Sequence, residues 1–336
     1  MNIRPHSFLA LLSALCFAAS LQAGEKIKVL LIDGQNNHDW RHTTPVLKWI
    51  FEDSGRFTVD VSTTPGNAPR GPNPPKADAK DDVKARFEAD KKKFEEGKAA
   101  AEAAHAEAWK AWHPKFKDYA VVVSNYNGDT WPEDVRKEFV EYVKGGGGFV
   151  SVHAADNSFP DWPEYNEMIA LGGWGSRNEK HGPYVYYKED KVFRDESAGS
   201  GGTHGKFHEF VIDVREPEHP IMKGLPAHWK HAADELYGKL RGPGKNLTIL
   251  ATSYSDPANG GTSRHEPLLM TTTFGTGRCF HTALGHGVST LGGLGFQITL
   301  LRGTEWAATG AVTIPAPPAE SLPADKAALH EPPKGL

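Results

Sequence analysis

The sequence contains very little cysteine, since Cys16 and Cys279 are the only two in 336 residues. Cys16 lies in an N-terminal segment that we expect to be removed. The remaining chain can then form neither an intrachain disulfide nor a zinc site built from cysteines. Cys279 stands directly before the apolar Phe280 in a predicted strand, and this pattern indicates a core residue.

An excess of positive charge is also missing. The chain has 38 Lys and Arg against 42 Asp and Glu, and its basic residues are scattered. Because a protein that tracks a phosphate backbone needs a dense basic face, we expect no nucleic-acid partner. The apolar run at residues 8–21 is too short for a comfortable membrane span. The composition is that of a globular protein, with 39% hydrophobic residues available for a core.

Residues 1–23 have the order of regions found in secretory signals. Arg4 precedes the apolar run and the small residue Ala23 ends the segment, which predicts cleavage after Ala23. A buried N-terminal helix is the alternative. With a signal peptide, the mature protein is expected to be secreted or periplasmic.

From residue 26 onward the sequence alternates between strand and helix patterns. The predicted strands are residues 27–32, 57–62, 119–124, 149–152, 209–214, 247–252, 268–274 and 278–283. Several are near-continuous apolar runs, which are typical of parallel strands covered on both faces. Two helices are predicted to begin at Pro45 and Pro132, and a closing helix covers residues 291–302. The pattern predicts an α/β fold with a doubly wound, flavodoxin-like, mostly parallel sheet.

Residues 64–118 interrupt this alternation. They begin with a proline-rich stretch and continue as a long helix rich in Lys, Glu and Ala. Phe87 and Phe94 belong to a narrow stripe with seven-residue spacing, so we expect the helix to lie on the main domain; a coiled-coil partner is the alternative. Residues 315–336 are rich in Pro and Ala and are predicted to be disordered, which leaves residues 24–314 as the folded domain.

Two segments share one design, in which a glycine turn leads into a short strand that ends at a histidine. The first strand ends at His153 and the second at His281. Open α/β sheets carry their chemistry at such strand exits, so we expect both histidines at one carboxyl edge, with His38 in a neighbouring loop. Neutral imidazoles there suit a divalent, zinc-like metal, with Asp156 or Glu235 as a carboxylate ligand. Each histidine by itself could instead be a core residue.

Two further pairs are candidates for the same region. Asp234 and Glu235 precede an apolar Leu-Tyr pair, so one of the two acids is expected to face inward, with a pKa raised by burial, as acid or base. His204 and His208 are four residues apart in a glycine-rich loop and are further metal candidates. A solvent-exposed position is the alternative for both pairs.

Five segments taken together resemble the ThuA-like (trehalose-utilisation) family. They are residues 33–38, 147–155, 218–221, 234–237 and 277–286. The resemblance spans about residues 26–310 and implies the fold of class I glutamine amidotransferases. In those enzymes a cysteine occupies the strand-to-helix elbow and a glutamate follows the later histidine. His153 stands at the elbow here and no glutamate follows His281, so we expect no amidotransferase activity.

The resemblance also implies a small carbohydrate as the partner, such as a keto-sugar or a glycoside. The predicted substrate-binding residues are Asn36, Trp40, Trp162, Tyr237 and His286. The predicted function is that of a sugar-active hydrolase, lyase or isomerase with a histidine-rich, metal-bearing pocket. The predicted catalytic residues are His153, Asp156, Glu235 and His281, with Glu235 moving a proton. The alternatives are a noncatalytic carbohydrate-binding protein and a partner-binding module built on the insertion.

Overall fold

The computed structural model describes residues 25–336, so the predicted signal peptide at residues 1–23 lies outside the described part. The strands are β1 (Ile27–Asp33), β2 (Phe57–Thr63), β3 (Val121–Ser124), β4 (Gly148–Val152), β5 (Tyr184–Lys188), β6 (Lys191–Asp195), β7 (Thr203–His204), β8 (His208–Val214), β9 (His228–Asp234), β10 (Tyr237–Gly238), β11 (Thr248–Tyr254), β12 (His265–Phe274) and β13 (Gly277–Thr282). The helices are α1 (Trp40–Asp53), α2 (Asp81–Ala111), α3 (Glu133–Lys144), α4 (Pro163–Ile169), α5 (Val288–Leu291) and α6 (Leu294–Thr309). Among these helices, none is both long and apolar enough to cross a membrane.

One large sheet organises the fold, with its strands in the order β2-β1-β3-β4-β13-β12-β11-β8-β9. The first five strands run parallel to one another, in the order of flavodoxin-like sheets. The last four extend the sheet in antiparallel fashion. The predicted doubly wound α/β class with a parallel core is confirmed, and the antiparallel extension is a feature that the sequence patterns did not indicate.

Helices cover both faces of the parallel strands, which is why these strands are apolar throughout. In β1, Val29 and Leu31 belong to the core on the side of α1 and α6. Leu30 and Ile32 point the other way, into the core that contains α3 and α4. Cys279 is buried in this second core, as predicted.

The carboxyl ends of the parallel strands form one edge, where the loops after β1, β3, β4 and β13 meet. β4 and β13 are direct neighbours, with Val152 opposite Thr282. β1 and β3 are also neighbours, with Ile32 opposite Ser124. The chain reverses its direction of travel across the sheet between β1 and β3, and doubly wound sheets bind their ligands outside such a switch point.

Helix α1 begins earlier than predicted. It starts at Trp40 instead of Pro45, because the Thr43 amide already donates to the Asp39 carbonyl at 3.0 Å. The strands β5, β6, β7, β9 and β10 were not predicted. The strand β6 is mostly exposed and therefore carries no apolar run that would reveal it.

The insertion is anchored by the residues that follow its long helix. No residue of α2 is buried, and Phe94 packs against Gly71 of the proline-rich stretch. Trp112 and Phe116, in contrast, are buried beside Trp131, with ring centroids 5.2 Å and 6.4 Å from it. The contacts of the insertion with the core are therefore concentrated after α2.

Replacing residues 67–104 by a short Gly/Ser linker is expected to leave the domain folded. The ends of that segment already meet, since Nε2 of His105 lies 2.9 Å from the Gly66 carbonyl oxygen. A longer deletion, of residues 66–116, should lower the melting temperature clearly, because it also removes Trp112 and Phe116. Thermal unfolding followed by circular dichroism compares the two deletions with the full chain. A shorter deletion that no longer unfolds cooperatively would contradict the expectation.

The predicted disorder of residues 315–336 is corrected, because this tail packs on the domain. Leu322 is buried, and the Pro323 carbonyl accepts a hydrogen bond from the Lys230 amide of the edge strand β9 at 2.8 Å. His330 contacts Gln297 of α6 through Nδ1 at 2.8 Å. A proline-rich tail does not form a helix or a sheet strand, but it can still pack on the domain. The edge strand β9 offers backbone groups that have no partner in the sheet, and the tail covers them.

Candidate metal centre

Four side chains converge at the carboxyl edge of the sheet. His38, His153, Glu235 and His286 each offer one ligand atom, and these atoms lie within 4.8 Å of one another. They follow β1, β4, β9 and β13 respectively; β1, β4 and β13 lie in the parallel part of the sheet, whereas β9 is its far edge strand. Three imidazoles and one carboxylate could hold a zinc-like divalent ion.

His153 is held in the orientation that a metal ligand requires. It is the first residue after β4 and has a positive φ of 46°, a conformation that residues other than glycine seldom adopt. Its Nδ1 lies 2.8 Å from the carbonyl oxygen of Ala283, to which it can donate. Its Nε2 lies 3.7 Å from Glu235 Oε2 and, within residues 25–336, is buried without a hydrogen-bond partner. A histidine fixed through one nitrogen, with the other free, is typical of metal sites.

Asp234 holds two of the four side chains in place from behind. Its fully buried carboxylate accepts hydrogen bonds from the amides of Glu235 at 2.8 Å, Gly285 at 2.9 Å and His286 at 3.2 Å. Nε2 of His231 lies 3.1 Å from the same carboxylate. Burial raises the pKa of Asp234, but the contact with His231 and the nearby His153 outweigh this, and the pKa is lowered. The carboxylate therefore stays ionised and ties the loop after β13 to the end of β9.

The variant Asp234→Asn is expected to weaken zinc binding about 10- to 100-fold, as the loss of outer-shell partners does in other metal sites. An amide can accept fewer of the four hydrogen bonds, so Glu235 and His286 lose their fixed spacing. Zinc titration with a competing chelator measures the change, and Asp53→Asn, at the exposed end of α1, serves as the control. Equal affinities of the two variants would show that Asp234 does not position the site.

The charge states of His38 and Glu235 suit metal ligation, whereas the hydrogen bond with Glu235 raises the pKa of His286. Burial, followed by the proximity of His153 and His286, lowers the pKa of His38 to about 4, so His38 is neutral at pH 7. Burial raises the pKa of Glu235. The contacts with His153 and His286 lower it by more than burial raises it, so the pKa lies below its usual value. The prediction that burial would leave an acid of this pair with a raised pKa is therefore wrong. Glu235 is a carboxylate that can ligate, rather than a proton donor.

A cavity of about 400 Å³ opens above this group. Its lining residues are Asn37, His38, Asn127, Asn157, Trp174, Gly175, His204, Glu235 and Tyr237. Among the lining residues that the structure describes, none is Lys or Arg. Three side-chain amides and one indole face can offer hydrogen bonds and a stacking surface to an uncharged polar ligand.

Several predicted residues reach this cavity. His204 lines it, and its Nε2 lies 3.7 Å from Glu235 Oε1. Tyr237 also lines it, and its hydroxyl lies 3.4 Å from His38 Nε2. Its ring is 4.2 Å from that of His153, between centroids.

Other predicted residues are not brought to the cavity. His208 contacts the Lys206 carbonyl and lies outside the ligand group. Asn36 donates to the Asn125 carbonyl and shapes the loop that carries His38. The Trp40 ring packs under Arg41. Trp162 is buried among the aromatic residues of the second core.

The predicted pair of catalytic histidines is separated by the strand register. His281 lies opposite Ser151, two residues before His153, and its side chain faces α4. There its Nδ1 lies 2.9 Å from the Ile169 carbonyl oxygen and its Nε2 lies 3.1 Å from Asp156. His281 and Asp156 thus form a buried pair of their own, because His281 lies within β13, whereas His153 lies beyond the end of β4 in a turn with positive φ.

Sequence patterns did not indicate Asn127, Asn157 or the supporting role of Asp234. Asn127 follows β3 at the same carboxyl edge, so the reasoning applied to the histidines could have included it. Asn157 ends the 3₁₀ turn that begins at His153. Asp234 carries no signal of its own, because its importance comes from loops that are distant in the sequence.

The sequence matches the ThuA family, described as trehalose utilisation, over residues 76–307. The chain belongs to the ThuA family. A crystal structure of a ThuA-like protein from Parabacteroides merdae is 43% identical, with a TM-score of 0.76 over 91% of this chain and 98% of that one. A ThuA-like protein from Bacteroides uniformis, 17% identical, shares the fold with a TM-score of 0.50 over 88% of this chain and 97% of that one. No curated protein matches the sequence.

Membership of the ThuA family confirms the resemblance seen in the five segments. It also supports a carbohydrate-related role and hence a small-molecule ligand.

Proposed function

We propose that this ThuA-family protein is a metal-dependent enzyme that acts on a carbohydrate, with the metal held by His38, His153, Glu235 and His286. The observation that carries this proposal is the buried Nε2 of His153, which has no hydrogen-bond partner among the described residues and faces Glu235. Buried side-chain nitrogens are in most cases paired, so an unpaired one beside a carboxylate and two further imidazoles supports a role as a ligand. A ligand of a metal ion leaves this nitrogen free in the absence of the ion.

The lining of the cavity supports a sugar as the substrate. The amides of Asn37, Asn127 and Asn157 can pair with hydroxyl groups, and the Trp174 ring can cover an apolar sugar face. A divalent ion bound beside them would polarise a carbonyl or hydroxyl oxygen. A keto-sugar or a glycoside fits this combination.

Two residues of the lining can move or hold a proton. His204 donates from Nδ1 to the Gly205 carbonyl at 2.8 Å, which leaves Nε2 as an acceptor at the cavity, so we assign it the role of general base. Burial, followed by the charges of Asp156 and Glu235, raises the pKa of Tyr237, which keeps its hydroxyl protonated as a donor. This proton chemistry suits a lyase, an isomerase or a hydrolase. Within residues 25–336 the only cysteine, Cys279, is buried in the core, so this part of the chain offers no thiol nucleophile for amidotransferase chemistry.

Metal analysis of protein purified without a histidine tag tests the proposal. We expect about one equivalent of a zinc-like ion per chain, together with turnover of a keto-sugar or glycoside that a chelator abolishes. Sugar binding without turnover, unchanged by the chelator, would instead support a noncatalytic carbohydrate-binding protein. A chain that takes up no divalent ion would overturn the proposal.

We also propose that the protein acts outside the cytoplasm. The charged, apolar and small-residue order of residues 1–23 supports export. N-terminal sequencing of exported protein should give a chain that starts at Gly24. A chain that retains Met1 would contradict this.

A further inference from the structure

The main sheet has three outer strands, β2, β6 and β9, which differ in what lies against them. At β9 the Lys230 amide donates to the Pro323 carbonyl of the tail at 2.8 Å. At β2 the Val59 carbonyl accepts a hydrogen bond from the Lys48 side chain at 2.8 Å. Within residues 25–336, β6 pairs with β5 alone, and no backbone group of another segment bonds to it. An edge of this kind presents N–H and C=O groups to which a further strand can add.

Large apolar side chains flank the free edge of β6. Val192 is 42% exposed and the adjacent Phe193 is 44% exposed. Because successive side chains of a strand point to opposite faces, the edge is apolar on both faces. Tyr186 of β5 lies opposite Phe193, with ring centroids 5.1 Å apart, and enlarges the apolar surface on one of them. These side chains would become buried if another strand paired with β6.

The hairpin of β5 and β6 fixes which backbone groups point outward. Residues 189–190 form a two-residue turn with positive φ angles, and Lys188 lies opposite Lys191 across it. In such a hairpin the two residues that flank the turn are hydrogen-bonded to each other, and hydrogen-bonded pairs alternate along the strands. Every second residue of β6 from Lys191 onward therefore bonds to β5. Val192 and Arg194 point their N–H and C=O groups at the free edge.

We propose that two copies of this protein associate through β6, with the two strands antiparallel about a two-fold axis at Phe193. In this register Val192 of one copy exchanges backbone hydrogen bonds with Arg194 of the other, and the two Phe193 side chains face each other. Lys191 faces Asp195 of the second copy at both ends of the paired strands. A two-fold interface must be self-complementary, and the segment Lys-Val-Phe-Arg-Asp meets this condition.

Charge complementarity selects this register and a second copy as the occupant. A shift of two residues would pair only three positions of each strand, and in one direction it would place Arg194 opposite Arg194. Within one chain, Lys191 lies opposite Lys188, and like charges in such positions are unfavourable. Asp195 accepts from Arg264 at 3.2 Å, and its side chain is still 21% exposed, so its carboxylate can also accept from Lys191 of the second copy.

The proposed interface is small and independent of the candidate metal centre. It joins two strands of five residues and the side chains beside them, so we expect a weak dimer that forms reversibly at micromolar concentrations. None of the four proposed metal ligands lies on β5 or β6. Metal binding and association can therefore be tested separately.

Sedimentation velocity over a range of protein concentrations measures the association. Phe193→Lys should weaken it at least about 10-fold, because two lysines would face each other at the two-fold axis. Val192→Pro should also weaken it, because proline removes an outward N–H and leaves the bonds to β5 intact. Phe207→Lys is the matched control, since Phe207 is 49% exposed and lies outside β6. Melting temperatures of all variants show whether the fold is retained.

Cysteine cross-linking tests the register itself. Two Phe193→Cys chains should form a disulfide-linked dimer under mild oxidation, because directly opposite residues of a non-hydrogen-bonded pair have Cα atoms about 4.5 Å apart. Val192→Cys should not do so, because Val192 faces Arg194 of the second copy rather than itself. Cys279, the only cysteine in residues 25–336, is buried and should give no background reaction.

Three results would each overturn the inference. The first is a wild type that stays monomeric up to about 1 mM. The second is a dimer whose affinity is unchanged in both Phe193→Lys and Val192→Pro, since it would use another surface. The third is equal cross-linking of Phe193→Cys and Val192→Cys, which would indicate random collisions rather than a fixed register.

Discussion

His153→Ala is expected to abolish zinc binding while leaving the metal-free protein nearly as stable as the wild type. The imidazole supplies the buried ligand nitrogen, and its other nitrogen fixes its direction through the Ala283 carbonyl. Alanine at φ 46° keeps the same backbone strain, and the loss of the hydrogen bond to the Ala283 carbonyl is offset in part by removal of the buried, unpaired Nε2. A site residue contributes to function more than to stability.

The measurement is the melting temperature with and without zinc. At a free zinc concentration of about 100 times Kd, the wild type should gain about 2.7 kcal/mol, or roughly 5 °C, and His153→Ala should gain nothing. His208→Ala is the matched control, since His208 was also predicted as a ligand but lies outside the group. If His153→Ala melts far lower than the wild type without metal and still responds to zinc, His153 is a packing residue. A His208→Ala variant without a zinc response would move the site to the loop that carries His204 and His208.

Glu305→Ala is expected to cost about 3–5 kcal/mol of unfolding free energy at pH 7, because it breaks a buried ionic network. Glu305 is only 1% exposed and accepts from Arg56 Nε at 2.8 Å, from the Thr313 amide at 2.7 Å and from the Ile314 amide at 2.9 Å. The network joins α6 to the start of β2 and to the segment that leads into the tail. Removing the carboxylate leaves all of these donors without their acceptor. Denaturant unfolding measures the difference between the two proteins.

The pH dependence of this difference identifies its ionic origin. Burial raises the pKa of Glu305, but the hydrogen bonds from Thr313, Ile314 and Arg56 outweigh it, and the pKa is lowered. The network therefore stabilises the protein fully above the pKa of an unfolded glutamate, about 4.3. Its contribution is lost as the pH falls through the lower folded-state pKa. Glu107→Gln, in the exposed pair with Lys110, is the control and should change stability by less than about 1 kcal/mol. A Glu305→Ala cost that stays constant down to pH 3 would mean that packing, not charge, holds the network together.

Local sequence patterns were sufficient for the parallel half of the fold. β1, β3 and β4 are apolar on both faces because helices cover both faces. Their continuous apolar runs therefore allowed them to be predicted from the sequence. The strands β6 and β9 were missed because one is exposed and the other is polar, and both are held by pairing with neighbours. The tail was misjudged for the same reason, since its order comes from the edge of β9 and from α6.

For the candidate site, too, some features follow from local sequence signals and others depend on contacts between distant segments. The sequence by itself determined that histidines end the strands at the carboxyl edge, because strand exits and glycine turns are local signals. Only the tertiary structure decided which of them meet. The register of β13 on β4 places His281 opposite Ser151, two residues before His153, and Asp234 binds the amides of Glu235 and His286, which lie about fifty residues apart in the sequence. Side-chain direction depends on strand register, and register depends on contacts between distant segments, so it cannot be read from either segment alone.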